Sequence, residues 1–141
     1  MNPSVIAANL ALVEGHFHSE LTNEVEKALA LYTDDVVWEA PARNVRFEGK
    51  AAVEAMYRAM FASMKDVRIR HLARAGDEHH VFDDSILWFT LVADGIENMP
   101  LPVGSRVELR FVHHFEIRGG KICKETTFEV FRVADGAHHA S

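Results

Sequence analysis

Nine histidines stand in a chain of 141 residues, and chemistry is best sought first in their placement. An imidazole titrates near neutral pH and can both give and take a proton. His71 follows Val67 and Ile69 in a two-residue alternation, and His113 follows Val107, Leu109 and Phe111 in another. That spacing puts such residues on one face of a strand, so both imidazoles share apolar faces. Burial there favours the neutral ring, which suits a base. The plainer reading of each is a core histidine satisfied by one hydrogen bond. His16 flanks the apolar stripe of the first helical segment, and its plainer reading is a boundary residue bonded to Tyr57 or water. His18, His79, His80, His114, His138 and His139 read as surface or turn residues.

Metal binding is not expected. His16 and His18 are two apart on a helix and do not share a face, while adjacent His113 and His114 point to opposite faces of a sheet. No histidine pair has the i, i+4 spacing of helical zinc ligands, which leaves only a tertiary site joining His16, His71 and His113. The single cysteine, Cys123, reads as a bland thiol that cannot form an internal disulfide. Glu125, Thr127 and Glu129 share one face of the last strand. Either they form a row facing solvent or a second copy, or they line a cavity and bring a carboxylate to His113.

The elements that must position these groups follow from periodicity. Ile6, Leu10, Val13, Phe17 and Leu21 make one helical stripe. A second helix is expected from Thr22 or Asn23, with Asn23 and Glu26 at capping-box spacing and Tyr32 on its inner face. A short strand, Val36 to Ala40, stops at Pro41. A third helix is expected from Lys50 to about Met64. The period then changes to two: Val67 to Arg74, Ser85 to Val92, Val107 to Phe115 and Ile122 to Arg132 read as strands. Asp94 to Gly104 reads as a loop, and Arg118-Gly119-Gly120-Lys121 as a hairpin turn. Helices followed by strands argue an α+β fold, with the helices on one sheet face. Ile86, Trp88 and Val112 leave the other face apolar, which argues a homodimer through it.

The composition, 48% hydrophobic and 26% charged, is that of an ordinary globular chain. One domain is expected over residues 1–133, with 134–141 a disordered tail. The balance of 15 Lys+Arg against 21 Asp+Glu offers no basic stripe for nucleic acid. No apolar run approaches the ~18 residues of a membrane span. The start lacks the basic and apolar regions of a signal peptide, so a cytoplasmic protein is expected.

The stretch Tyr32-Thr33-Asp34-Asp35-Val36-Val37-Trp38-Glu39-Ala40-Pro41, then Phe47-Glu48-Gly49-Lys50, then Tyr57, then Gly120-Lys121-Ile122 resembles the NTF2-like superfamily. Within it the chain is similar to the SnoaL-like and ketosteroid-isomerase-like proteins. The resemblance implies a cystatin-like cone: three N-terminal helices packed on a strongly curved antiparallel sheet around a deep apolar pocket. It also sets up expectations position by position. The isomerases' general base precedes the proline that ends the first strand, where this chain has Ala40. Glu39 is the neighbouring substitute, one residue out of phase. The isomerases' oxyanion tyrosine on the first helix falls at His16, with supporting tyrosines at Tyr32 and Tyr57. Their second acid falls at His113 or Phe111. The last-strand aspartate of limonene-epoxide-hydrolase-like members falls near Thr127. His71 resembles a pocket histidine of scytalone-dehydratase-like members.

The expectation is therefore a pocket for a small, largely apolar organic molecule. Its walls would be Trp38, Met56, Met60, Phe89, Leu91, Leu109, Phe111 and Thr127. If the chain is an enzyme, the reaction is isomerisation or dehydration without a cofactor. His71 or His113 would be the base, and His16 supported by Tyr57 the polarising donor. The alternatives are a non-catalytic ligand-binding or dimerisation module, consistent with Ala40, and a protein-interaction domain using the outer sheet face.

Overall fold

The computed structural model describes residues 1–21 and 24–134. Three helices, α1 (Pro3–Leu21), α2 (Val25–Ala30) and α3 (Lys50–Ala62), pack on one curved sheet of six strands. The strands are β1 (Tyr32–Ala40), β2 (Val45–Glu48), β3 (Met64–Gly76), β4 (His80–Leu91), β5 (Arg106–Arg118) and β6 (Lys121–Val133). Their order is β2-β1-β6-β5-β4-β3. All neighbours are antiparallel except β1 and β6, which run parallel. The sheet is therefore mixed, a correction to the all-antiparallel expectation.

Alternation decides which face is inside. On β5, Val107, Leu109, Phe111, His113, Phe115 and Ile117 are all buried, as a period of two requires. The helices cover this inner face with Val13 and Phe17 from α1 and Val53 and Tyr57 from α3. Each large apolar side chain so buried contributes about 1.5–3 kcal/mol. Gly49 enters α3 at φ 86° while its N–H bonds Val36 O at 2.7 Å, a conformation that favours glycine.

Several boundaries differ from expectation for identifiable reasons. Tyr32 opens β1 instead of closing α2, because Leu31 caps α2 and its carbonyl accepts the Ile122 N–H at 2.9 Å. Val45–Glu48 pairs with β1 as β2, a strand too short to show alternation. Met64 opens β3, since α3 ends at Ala62 with Ser63 as its cap. β4 begins at His80, where the Asp77 carboxylate accepts the backbone N–H groups of His79 and His80 at 2.8 Å each. On β3 the register shifts between His71 and Ala73. Such a bulge changes which side chains share a face, and here it brings Arg74 opposite Asp83 while His71 stays opposite Ser85. The capping pair read at Asn23 and the tail read over 134–141 lie outside the described residues, apart from Glu26 and Ala134.

On the outer face Phe82, Phe128 and Val130 stand exposed. Trp88 does not: it is buried, and its indole N–H donates to Glu108 Oε1 at 3.1 Å. Among the described residues no helix is long and apolar enough to cross a membrane.

Candidate active site

Between α1, α3 and the inner sheet face lies a cavity of about 210 Å³. Most of its wall is apolar: Phe17, Met60, Phe61, Phe89, Leu109 and Phe111 among others. The loop after β4 closes one side. Gly95 sits against the end of α3, where an added Cβ would meet Ala59 O and Ser63 Oγ at 2.5 Å. Its N–H bonds Ser63 Oγ at 2.8 Å, and this anchor holds Ile96 in the cavity wall.

One part of the wall is polar, and Glu125 is its centre. The side chain is almost fully buried. Tyr32 donates to Glu125 Oε1 at 2.6 Å, and the Tyr57 hydroxyl lies 2.6 Å from that of Tyr32 and 3.2 Å from Oε1. His16 Nε2 is 3.4 Å from Oε1, and His113 Nε2 is 3.3 Å from Oε2. Burial pushes the Glu125 carboxyl up, but His16, His113 and the Tyr32 hydroxyl outweigh it and hold it down at about 2. The carboxylate is therefore charged at neutral pH. His113 moves the other way from its ordinary range: burial lowers it, and the charge of Glu125 recovers only part of that loss. Its ring is thus the neutral member of the pair.

Among the described residues, four buried polar atoms on cavity-lining side chains make no well-formed hydrogen bond: Trp38 Nε1, His113 Nδ1, Thr127 Oγ1, and Glu125 Oε2, which stands 3.3 Å from His113 Nε2. A buried polar group left so costs about 1–3 kcal/mol. Arg43 and Glu129 also line the cavity, both nearly buried. Arg43 follows Pro41 in a short 3-10 turn that ends at Asn44 with φ 56°. Its Nε and Nη2 donate to the two oxygens of Glu129 at 2.8 and 3.3 Å, and its Nη1 donates to Glu97 O at 2.7 Å. Its guanidinium lies 5.8 Å from the Trp38 ring centre. Burial raises the Glu129 carboxyl, with Arg43 opposing.

A second polar cluster lies apart from the cavity, beneath α1. Asp83 is fully buried and accepts from Ser85 Oγ at 2.5 Å and from Arg74 Nε at 2.7 Å. His71 Nδ1 is 2.7 Å from Ser85 Oγ, and Arg74 also bonds Glu14. Phe17 stands between this cluster and the cavity, its ring 5.0 Å from that of His71 and 5.2 Å from that of His113.

The residues named from sequence therefore separate. His113, Tyr57, Trp38, Met60, Phe89, Leu109, Phe111 and Thr127 line the cavity. His16 is buried behind the tyrosines, bonded to the same carboxylate. His71 belongs to the Asp83 cluster, Leu91 is core beside the cavity, and Met56 packs on the main core. The row of Glu125, Thr127 and Glu129 faces inward, so its reading as a solvated row is overturned. Glu39 faces away and pairs with Arg46 and Lys124. Arg43 was missed, since an arginine just after a strand end carries no sequence signal of burial.

The family described as SnoaL-like domain matches residues 13–125 of the chain. No curated protein matches it. Among solved structures, it is similar to an LEH-like epoxide hydrolase from Mycobacterium tuberculosis, with 15% identity, TM-score 0.71, and 89% of this chain and 84% of that one covered. It is also similar to another protein of that organism solved in complex with estradiol-17beta-hemisuccinate, with 20% identity, TM-score 0.68, and 85% and 92% covered. A third is an NTF2-like protein from Burkholderia xenovorans, with 15% identity, TM-score 0.70, and 89% and 91% covered.

Proposed function

The chain belongs to the SnoaL-like domain family, and from that premise we propose that it takes a small, largely apolar organic molecule into the cavity and moves a proton on it without a cofactor. The observation that carries this reading is the pairing of His113 with Glu125 on the cavity wall. A neutral imidazole takes a proton, and a carboxylate 3.3 Å from its Nε2 stabilises the imidazolium that forms. Glu125 itself, held at about 2, is too weak a base to do the same work. The Thr127 hydroxyl lines the same cavity and makes no hydrogen bond among the described residues, so it can donate to a carbonyl or to a departing hydroxyl. The reaction class is isomerisation or dehydration.

Buried Ala40 at the end of β1 favours the second reading, a binder without turnover, because no carboxylate stands there. Solvent exchange separates the two. α-Tetralone and cyclohexenone are incubated with the protein in deuterium oxide, and loss of α-proton signal is followed by NMR. The first reading expects acceleration by the wild type and a fall of about 10²–10⁴ in His113→Gln. Binding of the ketones with no accelerated exchange leaves the binder. The reading also includes a homodimer through the outer face that exposes Phe82, Phe128 and Val130, tested by light scattering in solution.

A further inference from the structure

The cavity has two polar ends, one with a buried carboxylate acceptor and one with spare N–H donors. Glu125, Thr127 and Glu129 follow one another along one face of β6 in an unbroken register with β5. At ~3.3 Å per residue, Glu125 and Glu129 stand about 13 Å apart along the strand. At the first end, buried Glu125 Oε2 lies 3.3 Å from His113 Nε2 and makes no well-formed hydrogen bond among the described residues, and an ionised carboxylate only accepts. Thr127 Oγ1, which makes no hydrogen bond among the described residues, lies next along the row.

At the second end the spare groups are donors. The three bonds made by Arg43 leave two of the five N–H donors of a guanidinium. Trp38, whose ring lies beneath that guanidinium, adds an unpartnered indole N–H, which can only donate. The charge of Arg43 is already balanced by Glu129 at 2.8 Å. A second anion would therefore meet a buried carboxylate on the same guanidinium, whereas a neutral oxygen meets spare N–H groups alone.

We infer that the ligand is an uncharged, elongated apolar molecule with a hydrogen-bond donor on the end that meets Glu125 and a neutral acceptor oxygen on the end that meets Arg43. This rests on the cavity being the binding site, as proposed above, and adds the polarity and order of the ligand's two ends.

The test uses three probes of one shape in calorimetric titrations: 2-naphthol, its derivative with an acetyl group at the far end of the ring system, and the derivative with a carboxylate there. The acetyl compound is expected to bind at least ~10-fold tighter than 2-naphthol, and the carboxylate no tighter than 2-naphthol. A double variant, Arg43→Met with Glu129→Leu, removes the charge pair without leaving either partner alone. It is expected to lose the acetyl advantage, so that the acetyl compound binds it no tighter than 2-naphthol does. If 2-naphthol binds but the acetyl group adds nothing, the inference fails while the cavity stands as a site. It fails equally if the carboxylate binds best, or if the acetyl advantage survives in the double variant. If none of the three binds the wild type, both the inference and the binding reading fall.

Discussion

His113 and Glu125 meet across neighbouring strands, Nε2 to Oε2 at 3.3 Å, with both side chains sealed from bulk water. The relationship is unequal. Tyr32, Tyr57 and His16 converge on the other carboxylate oxygen, so the negative charge is held firmly and the imidazole beside it is free to change protonation.

Removing that charge should be felt through the whole core. Glu125→Leu takes the carboxylate away from His16 and His113 and strands two tyrosine hydroxyls. Breaking a buried pair from one side costs about 3–5 kcal/mol. Urea unfolding should show that loss; a change under 1 kcal/mol would mean that the cluster contributes little to holding the fold.

Acid should weaken the protein in a defined window. The carboxyl of Glu125 is lowered in the fold from 4.5 to about 2, so the unfolded chain binds the proton more readily. The stabilisation is complete above pH 4.5 and is lost as pH falls toward about 2. This one group accounts for a slope of up to about 1.4 kcal/mol per pH unit. Glu125→Gln should flatten that part of the profile, and an unchanged slope in the variant would place the acid sensitivity elsewhere.

The imidazole of His113 should still be neutral where a free histidine is half protonated. Burial lowers it from 6.5 despite the nearby carboxylate. Its ring nitrogen shifts, followed by NMR on labelled protein, should titrate below pH 6.5. Stability from this group is full above 6.5 and declines as pH falls toward the lowered value. A midpoint above 6.5 would contradict the neutral base.

The Arg43–Glu129 pair should respond to single and double replacement differently. Arg43→Met alone leaves a buried carboxylate unpaired and should cost about 3–5 kcal/mol, while the double change with Glu129→Leu should recover most of it. A double-mutant cycle by urea unfolding measures the difference. Additive losses would show the two side chains to be independent.

Gly95→Ala should disturb the cavity from outside it. The new Cβ meets Ala59 O and Ser63 Oγ at 2.5 Å, so the loop must shift. Overpacking of this kind costs about 1–3 kcal/mol. Because Gly95 anchors Ile96, 2-naphthol binding should weaken as well; unchanged stability and unchanged binding would show the anchor to be slack.

Much of the scaffold could be read from pattern because it rests on regular periods. Val13 and Phe17 were placed inside by helical spacing, the alternation on β5 put His113 on the buried face, and Gly119-Gly120 marked the final hairpin, where both residues have positive φ. The resemblance that named the SnoaL-like group was also sound. What pattern could not supply was anything set by a break in period or by a distant partner. One bulge on β3 turned Arg74 toward Asp83. Spacing left Glu125 open between a solvated row and a carboxylate lining a cavity beside His113, because the groups that surround it come from α1, β1, α3 and β5. Arg43 is buried where Glu129 of β6 and the Glu97 carbonyl accept its N–H groups.

Tyr32 and Glu125 are 93 positions apart in the chain, and β6, which carries Glu125, also supplies the parallel neighbour of β1. A ribosome must therefore have passed β6 before the first strand loses its bare edge. Until then β1 is an open template for foreign strands, and contacts of such long range form slowly. A chain stalled ahead of Lys121 is consequently the species on which chaperone demand and misassembly should concentrate.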